Sequence, residues 1–194
     1  MGLSIAMKIN FPLLALAVGA FAIGTTEFSP MGFLPEIAND LSVSIPQAGL
    51  LISAYAVGVM IGAPLMTLWL ARFPKKTALI LLMAIFTIGN VLATVAPDYM
   101  SLMGARLITS LNHGAFFGLG SVVAASVVPK DKQASAVAMM FMGLTIANIG
   151  GVPLATWLSQ NTSWRMAFAA ISILGIMTML ALWKALPQDH DVVK

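Results

Sequence analysis

Gly62-Ala63-Pro64-Leu65-Met66-Thr67 returns 89 residues later as Gly151-Val152-Pro153-Leu154-Ala155-Thr156, and both copies of this G-x-P-L-x-T pattern stand near the end of a long apolar run. The first run covers about Pro46 to Leu70, in a charge-free stretch bounded by Asp40 and Arg72, and the second covers about Gln133 to Leu158. Working outward, four further runs follow the same design. They are about Phe11 to Pro35, interrupted by Glu27; Thr77 to Ala96; about Tyr99 to Val128, containing Arg106 and His113; and about Trp164 to Leu186. A helix crossing about 30 Å of hydrocarbon needs roughly 20 mainly apolar residues, and all six runs are long enough.

Composition forces the same conclusion. Of 194 residues, 59% are hydrophobic and only 9% are charged, where a soluble domain carries roughly 25% charged residues. So few charges cannot keep the surface of a globule this size wet, so the chain is expected to be an all-α integral membrane protein. The pI of about 9.5 does not point to nucleic acid, because a net charge of +3 rests on ten scattered Lys and Arg rather than on a basic face. The absence of Cys excludes a disulfide scaffold. The first apolar run is too long for a cleaved leader and has no small-residue cleavage site in the right place, so it is expected to be retained.

Orientation follows from the cations. With the N-terminus inside, Lys8, Arg72, Lys75, Lys76, Lys130, Lys132, Lys184 and Lys194 are cytoplasmic and only Arg165 is outside, while the outer loops carry Glu36, Asp40 and Asp98. This asymmetry puts both termini in the cytoplasm by the positive-inside rule. Tryptophan prefers the headgroup level, and Trp69, Trp157, Trp164 and Trp183 all fall at span ends.

The interval between the two G-x-P-L-x-T copies contains three spans. Three is odd, so the second copy is inserted upside down relative to the first, giving two inverted three-helix repeats, an arrangement found in secondary transporters. Gly58 and Gly62, and Gly114 and Gly118, are four apart and let helix backbones approach. Gly143, Gly150, Gly151 and Pro153 concentrate in span five, and the proline frees a carbonyl four residues back, which predicts a bend near Ile149.

Several motifs resemble the N-terminal half of a major facilitator superfamily transporter, in the arabinose-efflux-permease and drug:proton antiporter branch. They are Gly24-Thr25-Thr26-Glu27-Phe28 with Pro35-Glu36-Ile37-Ala38, Ala71-Arg72-Phe73-Pro74-Lys75-Lys76, Ala105-Arg106-Leu107 with His113-Gly114-Ala115-Phe116-Phe117-Gly118, Gly143 to Pro153, and Trp164-Arg165 with Phe168. The resemblance covers about residues 10 to 186. It implies half of a major facilitator fold, with spans one, two, four and five lining a central path and spans three and six outside. Arg72, Lys75 and Lys76 take the place of the family's loop motif and Gly143 to Pro153 that of its antiporter motif. The Asp and Gly usual in that loop motif are replaced by Ala71 and Pro74.

Glu27 is the only acid inside a span, and a carboxylate in hydrocarbon generally faces a cavity or a partner. At 1.5 Å per residue it lies about 12 Å below the outer end of span one, and Arg106 lies about 10 Å below the same surface in span four. If the two spans face one cavity, these groups can pair, and withdrawing the arginine would turn the acid from releasing a proton to binding one. His113, two turns from Arg106, is placed to relay protons or recognise substrate; a bond to Thr109 or a backbone carbonyl is the structural alternative. Thr25, Thr26, Tyr55, Asn112 and Asn148 are the further polar candidates for a substrate-facing wall. The basic loop Arg72, Lys75 and Lys76 is expected to serve topology and attraction to anionic lipid.

Enzyme chemistry lacks its inventory: there is no H-E-x-x-H, no second intramembrane acid, and the only histidines are His113 and His190. No cofactor, metal or nucleic acid is expected, and the run Met139, Met140 and Met142 is taken as adaptable packing. The expected organisation is a cytoplasmic N-terminus over residues 1–10, a bundle over 11–186 and a polar cytoplasmic tail over 187–194. The expected function is proton-coupled efflux of a small molecule such as a drug or sugar across a bacterial inner membrane. Because alternating access needs two bundles around one site, the chain is expected to work with a second six-helix half, as a homodimer, or as part of a longer protein. A non-transporting membrane assembly subunit is the alternative.

Overall fold

A computed structural model describes residues 10–187. Lys8, His190, Lys194 and the rest of segments 1–9 and 188–194 lie outside the described residues. Among the described residues nine α-helices run in the order α1 (Phe11–Gly32), α2 (Leu34–Asp40), α3 (Ile45–Leu70), α4 (Lys75–Thr94), α5 (Tyr99–Ser110), α6 (His113–Ser126), α7 (Gln133–Ile146), α8 (Val152–Asn161) and α9 (Trp164–Ala185). They build six spans long and apolar enough to cross a membrane, at residues 11–32, 45–70, 75–94, 99–126, 130–161 and 164–185.

Local sequence explains the ends. Asn10, Ser44, Asp98 and Ser163 each accept a hydrogen bond from the backbone N–H three residues on, opening α1, α3, α5 and α9, which satisfies donors that a starting helix leaves free. Three departures from the six simple runs follow from backbone chemistry that hydropathy does not register. Span one stops at Gly32 rather than Pro35. Phe33 donates back to Pro30, and Pro35 starts the short outer helix α2. Span four is interrupted at Leu111 and Asn112, whose N–H groups reach only three residues back, to Ile108 and Thr109. Span five contains a π-helical turn at Ala147–Gly151 between α7 and α8, around the carbonyl of Ile149 that Pro153 cannot engage.

Packing follows an inverted repeat. Span one lies along spans five and six, span four lies along spans two and three, and spans three and six lie along each other. Exchanging one with four, two with five and three with six maps this set of neighbours onto itself. The repeated glycines carry it in detail: a Cβ on Gly62 in span two would strike Leu111 of span four, and one on Gly151 in span five would strike Thr25 and Phe21 of span one. Gly58 and Gly114 make the same kind of close approach, to Ser110 and Ala63, whereas nothing lies near Gly118.

Exposure obeys the same exchange. In the most apolar window of spans two and five only 22% of residues are buried, against 56% in span one and 50% in spans three and four. Spans two and five therefore stand at the rim of the bundle. Of the tryptophans, Trp69, Trp157 and Trp183 are exposed at span ends, but Trp164 is 2% exposed. Its indole donates to Asp40, so this residue is a structural donor rather than an interfacial anchor. Among the methionines, Met140 is buried against Gly120, while Met139 and Met142 are exposed.

Two cations tie the antiparallel pair of spans three and six at both ends. Arg165, the second residue of α9, donates to Ala96 O at 2.8 Å just past the end of α4, and pairs with Asp40. Lys76, the second residue of α4, donates to Leu186 O at 2.7 Å just past the end of α9. Arg72 instead covers the rings of Trp69 and Phe73. Hydrogen bonding from Arg165, aided by Trp164, holds the Asp40 carboxyl below the usual carboxylate range.

Candidate functional site

Helix geometry separates two neighbours on α1. Successive residues turn by about 100°, so Thr26 and Glu27 face different partners. Thr26 turns inward: its hydroxyl donates to Asn90 Oδ1 of α4 at 2.7 Å, and its carbonyl accepts from Arg106 Nη1 at 2.8 Å. Asn90 is held in turn by donating to Phe86 O at 2.9 Å. Glu27 turns instead toward span four, where its Oε2 lies 3.8 Å from His113 Nε2.

Arg106 and Glu27 thus occupy one layer without a direct ion pair; among the described residues the pairs within 4.0 Å are Glu27 with His113 and Asp40 with Arg165. Tyr55 of α3 joins the two halves of the layer. Its ring lies under the Arg106 guanidinium, 4.2 Å from centroid to Cζ, and its hydroxyl is 3.2 Å from His113 Nδ1. The result is a continuous array, Arg106–Tyr55–His113–Glu27, drawn from three spans. Its members differ in access. Arg106 and Tyr55 are 1% and 2% exposed, whereas the side chains of His113 and Glu27 are 14% and 27% exposed. A cation fixed in the core therefore sits behind an aromatic ring, and two groups able to carry a proton stand toward the open side. Thr109 bonds Ala105 O, and the His113 ring nitrogens face Tyr55 and Glu27.

The other sequence candidates scatter. Thr25 bonds Phe21 O and faces Gly151 of span five, away from the array. Asn112, at the interruption of span four, is fully buried with no hydrogen-bond partner for its amide. Asn148 is exposed within the π-helical turn and donates to Leu144 O. Gly143 presses on the backbone carbonyl of Ala17, Gly150 has open space around it, and Pro64 and Pro153 are exposed.

Three participants were not anticipated. Asn90 fixes Thr26, and Phe117 lies against the histidine with Phe141 stacked on it, with ring centroids 5.1 Å apart for His113–Phe117 and 5.0 Å for Phe117–Phe141. Asn90 had a visible signal as the one amide in a charge-free span. The phenylalanines had none, because an aromatic residue in an apolar helix reads as packing.

Six apolar spans packed as inverted repeats around an ionisable array define a polytopic membrane bundle. The chain belongs to the Major Facilitator Superfamily, whose family model matches residues 16–194, and it is a multi-pass inner-membrane protein. It is 71% identical over 182 residues to the inner membrane transport protein YdhP of Escherichia coli K12, covering 94% of this chain and 47% of that protein. It is 31% identical over 176 residues to a probable sugar efflux transporter of Pasteurella multocida, covering 90% and 43%. The crystal structure of a bacterial homologue of the lysosomal transporter Spinster superimposes with a TM-score of 0.76 at 20% identity, covering 93% of this chain and 44% of that one. The chain spans about half the length of the curated relatives it matches.

Proposed function

We propose that residues 11–186 form one six-helix half of a proton-coupled exporter of a small molecule such as a drug or sugar. The second half is either another copy of this chain or a distinct six-helix unit. The observation that carries this reading is the array itself: Glu27, the one carboxyl inside a span, faces His113 at 3.8 Å, and a buried guanidinium stands one aromatic ring away. The relative named as a sugar efflux transporter supports the direction.

In this reading the proton is exchanged at Glu27 and His113, which are the accessible members. With Glu27 ionised, the His113 Nε2–H points at the carboxylate; with a proton loaded, the pair carries it between Oε2 and Nε2. The Arg106 guanidinium, one aromatic ring away, acts on this pair through its charge, and a movement of span one against span four changes that influence. Substrate entering from the open side then competes with or follows the proton. Arg72, Lys75 and Lys76 face the cytoplasmic leaflet and favour anionic lipid.

The test uses proteoliposomes with a pH-sensitive dye inside. Each compound of a drug and sugar panel is added in turn, and substrate-driven proton movement is compared for wild type and Glu27→Gln. Proton movement for at least one compound, lost in the variant, supports the proposal. Coupling that survives Glu27→Gln removes it, and a stable monomer in detergent with no flux for any compound favours an assembly subunit.

A further inference from the structure

Tyr55 was expected to line a substrate path, yet it is 2% exposed and makes two specific contacts, one over its ring and one at its hydroxyl. We propose that Tyr55 is a positioning residue that selects which nitrogen of His113 carries its proton and keeps the Arg106 guanidinium from closing on Glu27. This rests on the coupling reading above and names how its central pair is held.

The hydroxyl does the selecting. His113 has one partner on each ring nitrogen, Tyr55 Oη on Nδ1 at 3.2 Å and Glu27 Oε2 on Nε2 at 3.8 Å. A neutral imidazole has one N–H and one bare nitrogen. An ionised Glu27 only accepts, so it favours the N–H on Nε2; Nδ1 is then bare, and Tyr55 can fill it because a phenol donates. When one proton is added to Glu27 while the ring keeps its Nε2–H, the acid still has an oxygen to accept with and the Tyr55–His113 bond is unchanged. When the proton goes to the ring, or when Glu27 donates to a bare Nε2 and the ring proton moves to Nδ1, Nδ1–H donates to Tyr55 Oη. In those two arrangements the Tyr55–His113 bond reverses, and a hydroxyl suits that reversal because it both donates and accepts.

The ring does the separating. Arg106 spends Nη1 on Thr26 O, while its Nε and Nη2 are buried without a hydrogen-bond partner. Its Cζ lies over the Tyr55 ring, 4.2 Å from the centroid, a cation–π contact that rewards it for staying on the ring. Two donors left unpaired in the core would otherwise favour a carboxylate, and Glu27 is the acid of that layer. The ring keeps Glu27 available to His113.

Histidine tautomers are read directly by 15N NMR, and no substrate is needed. The full chain carrying His190→Gln has His113 as its single histidine; it is labelled with 15N-histidine and studied in micelles at a pH where the ring is neutral. The N–H is expected on Nε2 in this background. Adding Tyr55→Phe keeps the ring under Arg106 and removes the hydroxyl, and the ratio of Nε2–H to Nδ1–H is expected to fall by about two- to twelvefold, the span of one neutral hydrogen bond. A dominant Nδ1–H form, or a ratio unmoved by Tyr55→Phe, overturns the proposal, and the first of these needs no variant at Tyr55 to fold. Glu27→Gln serves as the separate control. If it shifts the His113 signals while Tyr55→Phe does not, the coupling pair stands and the role of Tyr55 falls; if it leaves them unmoved, the pair itself falls.

Discussion

Gly62 and Gly151, and Lys76 and Arg165, stand 89 residues apart and do the same work in the two repeats: the glycines admit the neighbouring span, and the cations cap the far end of the partner helix. The same shift applied to the polar array finds nothing comparable. Glu27 corresponds to Phe116, Arg106 to Ala17 and His113 to Gly24. Packing is duplicated, and the ionisable chemistry is not. Duplicated positions should therefore govern stability, and unduplicated ones the handling of protons.

The largest effect expected from this division is at Glu27. Glu27→Gln preserves shape and hydrogen-bonding capacity, so the melting temperature in detergent is expected to stay close to wild type while proton-linked flux falls at least tenfold. A melting temperature that falls along with the flux would place Glu27 among the structural residues and erase the distinction.

Next come the duplicated glycines. Gly62→Ala puts a methyl group 2.8 Å from the Leu111 Cα, a backbone atom that cannot rotate away, whereas Gly151→Ala meets the side chains of Thr25 and Phe21. Overpacking costs about 1–3 kcal/mol, and Gly62→Ala is expected at the upper end with Gly151→Ala below it. Thermal unfolding in detergent measures both. Equal losses would mean that the span-one side is as rigid as the span-four side.

Much of this skeleton was legible in the chain, and for identifiable reasons. Burying about 20 apolar residues leaves a mark in composition, so α4 and α9 fall within two residues of the apolar runs Thr77 to Ala96 and Trp164 to Leu186. The turn at Phe33 and the interruption at Leu111 left no such mark, because a backbone donor that reaches three residues back instead of four changes no side chain. At the site, depth was legible and azimuth was not. Counting residues put Glu27 and Arg106 in one layer, but a single step of about 100° between Thr26 and Glu27 gives the arginine to one and the histidine to the other. Tyr55 was visible as a polar group in span two; its place between Arg106 and His113 depends on how three helices rotate against one another.

The paired cations sharpen the comparison at smaller cost. Arg165 holds Ala96 O, Asp40 and the face of Trp164, while Lys76 holds one carbonyl. Arg165→Met is expected to lower the melting temperature more than Lys76→Met does, and only the former should alter its pH dependence. The Asp40 carboxyl is held below its usual range by Arg165. Its contribution is therefore present above the unfolded value near ~4 and is lost as pH falls through the lower folded value. Melting curves from pH 7 to pH 3 should converge for wild type and Arg165→Met at the acid end. Parallel curves would show that Asp40 takes no part in holding the outer end.

The smallest effect separates a close approach from a mere glycine. Gly150 adjoins Gly151 in the same π-helical turn, yet nothing lies within 4 Å of where its Cβ would stand. Alanine fits that space and gives up less backbone freedom on folding than glycine does. Gly150→Ala is therefore expected to leave stability within about 0.5 kcal/mol of wild type, on the favourable side, while Gly151→Ala one residue away is clearly destabilising. Because neither change touches the array, a loss of proton-linked flux in Gly150→Ala with an unchanged melting temperature would carry a separate meaning: the turn itself would have to flex during transport, and span five would join the unduplicated, functional part of the molecule.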